Sequence, residues 1–271
     1  MNRGFLVIAQ NLEDENGNVI VDYEYRAWLL AKCISVTSNK YRSVSVITGD
    51  GTIKEEYRDA FDQVIAAPWG DDSSVKSLPR ILNYPKAVHA TPYEKTILMS
   101  ADVLVTPSTD LDSDWAALDN CILSTPIKLN EPQQIAPEFV PMRDNGLVPV
   151  CKDMIYFAKN KEVFEFFDLF RQYMHDHEDA YRVELKVQSR PDELHIATCI
   201  SLALRASGLD NHPLVSHNGP MDYIDAKDLN QCNRICLNED DYTINDFSFN
   251  APLHYGRNPI FDITEAEKWF K

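Results

Sequence analysis

An apolar strand pattern, Thr96-Ile97-Leu98-Met99, runs into Ser100-Ala101-Asp102, and a second apolar run, Val103 to Thr106, leaves it. A carboxylate at the end of a buried strand, where a sheet opens, is where α/β proteins place ligands and metals. Asp is also an ordinary turn residue between two strands. The rest of the chain has to decide between the two.

The neighbouring segments favour a sheet. Phe5 to Ala9 has the β-branched and aromatic content of a buried strand. Asp22 can cap a following helix in which Tyr23, Arg26-Ala27, Leu30 and Cys33-Ile34 recur at helical spacing. Ser43 to Thr48 reads as a second strand, closed by Gly49-Asp50-Gly51, and Gln63 to Ala67 as a third. Strand, helix, strand, strand in this order predicts a parallel α/β sheet beginning at the N-terminus. A long polar connection runs from Pro68 to Pro92, with a helix expected around Val75 to Leu82. Such loops in compact domains tend to carry function.

Further along, strands are expected at Cys121 to Ser124 and Met154 to Ala158, on either side of a proline-rich excursion from Pro126 to Pro149. Lys161 to Asp176 carries the strongest helical stripe, formed by Val163, Phe166-Phe167, Phe170 and Tyr173-Met174. A second buried helix is expected from Leu194 to Leu204, with Pro191 before it and Gly208 near its end. From Asn211 the chain reads as polar and turn-rich, closing on a short helix at Thr264 to Phe270. With no repeat or linker, one domain is the simplest reading.

Composition removes several functions. No apolar run approaches the ~18 residues of a membrane span, and Phe5 to Ala9 is too short for a signal-peptide core. The expectation is a cytoplasmic protein with no membrane partner. Six scattered cysteines read as reduced core residues, and Cys232 with Cys236 lacks the second pair that a structural zinc needs. The net charge is -16, opposite to the basic footprint of nucleic-acid binders. Arg182, Lys186 and Arg190 form the best local basic run for meeting a polyanion, and it reads first as an ordinary solvated face. His175 and His177 close the long helix, where cations are favoured, and read as structural. Among nine glycines none builds a GxGxxG, Walker-type or Gly-x-Ser-x-Gly pattern. A nucleotide diphosphate bound here needs its charge met in another way, and a divalent cation is the obvious one.

Three segments together resemble nucleotide-sugar glycosyltransferases of the GT-A fold, in particular a group common in tailed phages. Asn83 to Asp102 looks like the lead into that family's Asp-x-Asp metal motif. Met154 to Asn160, the Phe-rich helix and Asp192-Glu193 before an apolar helix are similar to its acceptor half. His254-Tyr255-Gly256-Arg257-Asn258-Pro259 looks like the late His-x-Gly element of glycogenin-like enzymes. The resemblance implies a single GT-A-like domain, a Rossmann-like mixed sheet flanked by helices. Residues 1–106 would form the nucleotide-sugar half and residues 107–271 the acceptor half.

The same resemblance implies a metal-assisted transferase. Asp102 and His254 would hold Mn2+ or Mg2+ against the diphosphate of a UDP-sugar or another nucleoside diphosphate sugar. Gln10, Asn11 and Asp50, at the ends of the first two strands, and Ala101 within the motif would lie along the donor, while Arg80 and Lys86 would reach the diphosphate or sugar. Each has an ordinary counterpart: strand-end turn chemistry for Gln10, Asn11 and Asp50, solvation for the two cations, a surface turn for His254. Asp192 and Glu193 would serve as acceptor-side carboxylates, or simply complement a helix dipole. One departure stands out. Ser100 occupies the place of the first acid, and a hydroxyl is a far poorer ligand for these ions.

The phage likeness suggests a hydroxymethylated base of phage DNA, or a sugar already on one, as acceptor. Protein or glycan hydroxyls compete with it. A non-catalytic nucleotide-sugar or carbohydrate-binding protein with a degenerate metal motif is the alternative from another class. A nucleotidyltransferase is a third, without the glycine-rich loop such enzymes use.

Overall fold

A computed structural model describes residues 2–37, 42–70, 82–105, 115, 144–148, 150, 152–176 and 196–210, and short backbone strands between 222 and 262. The first strand, β1 (Arg3–Ile8), is followed by a hairpin of β2 (Leu12–Glu13) and β3 (Val19–Val21) and then by helix α1 (Tyr23–Thr37). Asp22 caps that helix as expected, its Oδ1 accepting the Tyr25 N–H at 2.9 Å. The hairpin was not expected. Its sequence carries only two paired residues per strand, too few for a period-2 signal.

Strands β4 (Val44–Thr48), β5 (Gln63–Ala66), β6 (Lys95–Met99) and β8 (Met154–Ala158) complete a five-stranded sheet in the order β5-β4-β1-β6-β8. A one-turn helix, α2 (Ala87–Ala90), leads into β6. The first four strands are parallel, and β8 runs antiparallel to β6. The chain steps outward from β1 to β4 and β5, then returns to place β6 on the other side of β1. The order therefore reverses between β1 and β6. In open α/β sheets that is where a crevice forms beyond the carboxyl ends of the strands.

Alternation along the strands builds two cores. Phe5, Val7, Val44, Val46, Ile97, Met99 and Tyr156 face α1 with Leu30 and Ile34. Leu6, Ile47, Leu98, Ile155 and Phe157 face the opposite way, against helices α3 (Lys161–His175) and α4 (Ile196–Ser207). A one-residue slip in register would exchange the two sets, so the helices on both faces fix it. Asn160 caps α3 through the Val163 N–H at 2.8 Å. Its buried stripe of Val163, Phe166, Phe167, Phe170 and Met174 packs against α4. Each such side chain contributes about 1.5–3 kcal/mol on burial. Gly208, at φ 73°, ends α4 by turning the chain left-handed, as its position suggested.

The expected mixed α/β sheet flanked by helices is thus present. The strand at Cys121 to Ser124, the helix around Val75 and the helix at Thr264 lie outside the described residues. So do Arg182, Lys186, Arg190 and His177. One expectation is corrected. The region beyond Asn211 is not simply turns: β9 (Asp222–Tyr223), β10 (Arg234–Leu237), β11 (Tyr242–Ile244), β12 (Phe247–Phe249), β13 (Leu253–His254) and β14 (Ile260–Asp262) form there. Each strand spans only two to four residues, so polar neighbours mask its alternation.

One further strand ties this region to the first half. β7 (Val103–Leu104) pairs antiparallel with β13, and β13 pairs in parallel with β9. No described helix is long and apolar enough to cross a membrane.

Candidate functional site

A cleft of about 280 Å³ opens at the carboxyl ends of β1 and β6, at the topological switch point. Gln10 enters it from beyond β1, and Ser100, Ala101 and Asp102 from beyond β6. Tyr23, the first residue of α1, forms another wall with Tyr84, Lys152, Asp153 and Ile196. Its volume lies near the lower edge of small-molecule sites, about 300–1,000 Å³.

Lys152 and Asp153 reach the cleft because β8 is antiparallel. Met154, the first residue of β8, pairs with Met99, the last of β6. The two residues before β8 therefore meet the segment that follows β6, and the Ser100 N–H donates to the Asp153 carbonyl at 2.9 Å. The sequence had no local mark of this, since strand direction is a property of the whole sheet. Tyr84, also missed, lies in a 3-10 turn (Tyr84–Lys86) and donates its hydroxyl to the Lys152 carbonyl at 3.1 Å.

Asp102 sits at the centre with both carboxylate oxygens engaged. Oδ1 accepts from the Ser100 hydroxyl at 2.6 Å, and Oδ2 lies 3.8 Å from Nη1 of Arg26. The Arg26 side chain is 5% exposed and that of Asp102 16%. Arg26 comes from α1, and its guanidinium lies 5.1 Å from the centre of the Tyr23 ring, within cation–π range. A buried guanidinium requires a partner, and Asp102 is a carboxylate within reach. On the other wall, Lys152 Nζ stands 3.7 Å from Asp153 Oδ1.

The remaining sequence candidates fall in different places. The strand pairing sets the His254 backbone opposite Val103, the residue after Asp102. Gln10 is buried, and its Oε1 accepts from the Trp69 indole N–H at 3.1 Å. Ala101 is buried in the cleft wall. Asn11 turns to α1 instead: its Nδ2 donates to Glu24 Oε1 at 3.0 Å, and its Oδ1 accepts from the Glu24 N–H at 3.1 Å. Asp50 is exposed beyond β4, where hydrogen bonds from the Thr52 hydroxyl and N–H hold its carboxyl below the usual range. Lys86 is half-buried in the turn that carries Tyr84. Arg80, Asp192 and Glu193 lie outside the described residues.

A divalent cation, which the sequence resemblance implies, does not fit the donors found here. The hydroxyl that replaces the first acid donates its hydrogen bond to Asp102. The remaining carboxylate already faces a buried guanidinium. Unit charges about 4 Å apart interact by about 4 kcal/mol at an effective dielectric near 20, so a dication at Oδ2 would meet repulsion of that order or more. Among the described residues no three His, Cys, Asp or Glu side chains gather as ligands.

No family model matches the sequence, and no curated protein matches it. Solved glycosyltransferase structures do. An active-site mutant of LgtC shares 14% identity over 80% of this chain and 88% of its own, with a TM-score of 0.40. Mouse xyloside xylosyltransferase 1, apo form, shares 9% identity over 77% of this chain and 84% of its own, at 0.45. The apo-form glycosyltransferase GlyE of Streptococcus pneumoniae TIGR4 shares 11% over 79% of this chain and 45% of its own, at 0.41. Likeness at this level carries neither a ligand nor a reaction over to this chain, whose own residues have to supply both.

Proposed function

We propose that this protein is a GT-A-type glycosyltransferase that takes a nucleoside diphosphate sugar into the cleft and transfers the sugar to a hydroxyl. One observation carries the reading. Ser100-Ala101-Asp102 and the His254 segment, which the resemblance assigns to the metal and diphosphate end of a donor site, lie far apart in the chain, and the pairing of β7 with β13 sets the His254 backbone opposite Val103, next to Asp102 of the cleft. A ligand laid across the ends of β1, β4 and β6 would run from Asp50 past Gln10 to Asp102. Tyr23 supplies an aromatic face, and Lys152 a cation for the diphosphate.

In the reaction, the acceptor oxygen bonds to the anomeric carbon as the bond from that carbon to the diphosphate oxygen breaks. The nucleoside diphosphate leaves with the electron pair. The acceptor proton passes to a carboxylate, and Asp192 or Glu193 is the residue we assign to that step on the resemblance alone. Tyr84 and the walls around it would keep water from the anomeric carbon. The charge of -16 favours an uncharged hydroxyl acceptor over duplex DNA, which tells against hydroxymethylated bases of phage DNA.

A second reading is favoured by the engaged state of Asp102: a nucleotide-sugar or carbohydrate-binding protein that kept the fold without turnover. Thermal-shift screening against nucleotide sugars, followed by assay of released nucleoside diphosphate with glycan, protein and DNA acceptors, tests both. Stabilisation with turnover supports the transferase. Stabilisation without turnover on any acceptor supports the binding protein, and no shift from any nucleotide sugar refutes both.

A further inference from the structure

We infer that the cleft holds a nucleoside diphosphate without a divalent cation, because Arg26 supplies from within the fold the positive charge that a metal would bring to Asp102. The inference rests on the donor-site reading above and specifies how the charge of Asp102 is neutralised there. Three observations carry it. Ser100 and Arg26 engage the two oxygens of Asp102, one each. Arg26 is buried under the Tyr23 ring, so its charge is fixed in place and poorly screened. Among the described residues the charges at the cleft also balance. Asp102 and Asp153 line it with Lys152, and the Arg26 guanidinium lies over the Tyr23 ring, two of each sign.

The division of labour follows from depth. Arg26 cancels the carboxylate that would otherwise repel a diphosphate, and it acts through Asp102 as a positioning residue. Lys152, with a side chain 34% exposed, can extend towards the ligand as the mobile cation. An arginine suits the first task because it remains charged when buried and its planar guanidinium fits a carboxylate. Lysine suits the second because its flexible stem follows the ligand.

Isothermal titration of the full chain with uridine diphosphate, in chelator and in millimolar manganese, tests this directly. The expected result is binding in chelator that manganese tightens by less than about fivefold, well under one power of ten in Kd. Tightening at or beyond that factor overturns the inference and leaves the donor site standing. Absence of binding in both buffers overturns the donor site as well, so the two failures are distinct.

Arg26→Gln, checked for folding by circular dichroism, should lose about tenfold or more in affinity in chelator, the scale of one lost charge contact. Manganese should then tighten its binding, since Asp102 has lost the charge of Arg26, and Arg26→Lys should restore binding in chelator. Wild-type affinity of Arg26→Gln in chelator refutes the role given to Arg26. If that variant does not fold, Lys152→Ala decides. A drop beyond about fivefold in chelator supports a metal-free cation at the cleft, and an unchanged affinity overturns it.

Discussion

The Ser100 hydroxyl donates to Asp102 Oδ1 at 2.6 Å, so the residue that stands in the place of an expected carboxylate serves the carboxylate that remains. With Arg26 on the other oxygen, Asp102 joins β6, β7 and α1 at one point. A structural task and the proposed ligand-facing one therefore fall on one side chain, and substitutions at this point should report on both.

Asp102→Asn is expected to fold but with reduced stability. The amide keeps the volume and can still accept from Ser100, yet it removes the carboxylate charge that faces a buried guanidinium. Removing one member of a fully buried pair costs about 3–5 kcal/mol. This pair is longer and Asp102 is partly exposed, so a loss of about 1–3 kcal/mol is expected. Urea unfolding would show it as a lower midpoint at unchanged slope. An unchanged midpoint would mean that the ion pair does not contribute to the fold. Sugar transfer should fall as well.

Ser100→Asp separates a weakened metal site from a metal-free one. The new carboxylate lies beside Asp102 and adds a negative charge to a cleft whose described charges balance without it. Affinity for a nucleoside diphosphate should fall at every manganese concentration, most at low salt where repulsion is least screened. Tighter binding that tracks manganese would show instead that a cation site had merely lost one ligand, and would count against the role of Arg26.

Much of this site could be read in the sequence, and the reason for the remainder is physical. Strand β6 and the acid after it are local patterns, as is the Asp22 cap of α1. Arg26 was visible only as one position in an apolar helical stripe. Its charge acquires meaning when α1 is laid against β6, a long-range contact that no window of sequence contains. Lys152 and Asp153 were hidden for a related reason. The strand Met154 to Ala158 was legible but its direction was not, and direction decides whether its beginning or its end meets the cleft. Asn11 shows the opposite case. Its strand-end position suggested a ligand contact, and its carboxamide is instead held by Glu24.

Glu24 should give the protein a recognisable pH dependence. Burial raises its carboxyl above the usual value, against the lowering effect of the Lys54 N–H, which donates to Oε2 at 3.2 Å. The folded state thus binds the proton more tightly than the unfolded chain. Its contribution is fully present below the unfolded carboxylate range and is lost as pH rises from about 4 through the raised folded value. In Glu24→Gln that loss is absent. The stability difference between wild type and variant should move against the wild type as pH rises, measured by urea unfolding between about pH 4 and 7. A difference independent of pH would refute the assignment.

Gly4 tests the packing against β1, the central strand of the sheet. A Cβ placed there would lie 2.3–2.6 Å from ring atoms of Tyr93. That ring cannot easily withdraw, because Tyr93 is buried and its hydroxyl is hydrogen-bonded to Ser45 Oγ at 2.7 Å. Burial also pushes the Tyr93 phenol up to about 12, so it stays protonated throughout the neutral range. Gly4→Ala must therefore shift β1 or displace the ring, at a cost of about 1–3 kcal/mol. Tyr93→Ala alone should also destabilise, by opening a cavity. The two together should cost less than their sum, since the added methyl enters space that the ring has left. Thermal and urea unfolding of the four proteins gives the coupling energy, and strict additivity would mean that Gly4 and Tyr93 are not in contact.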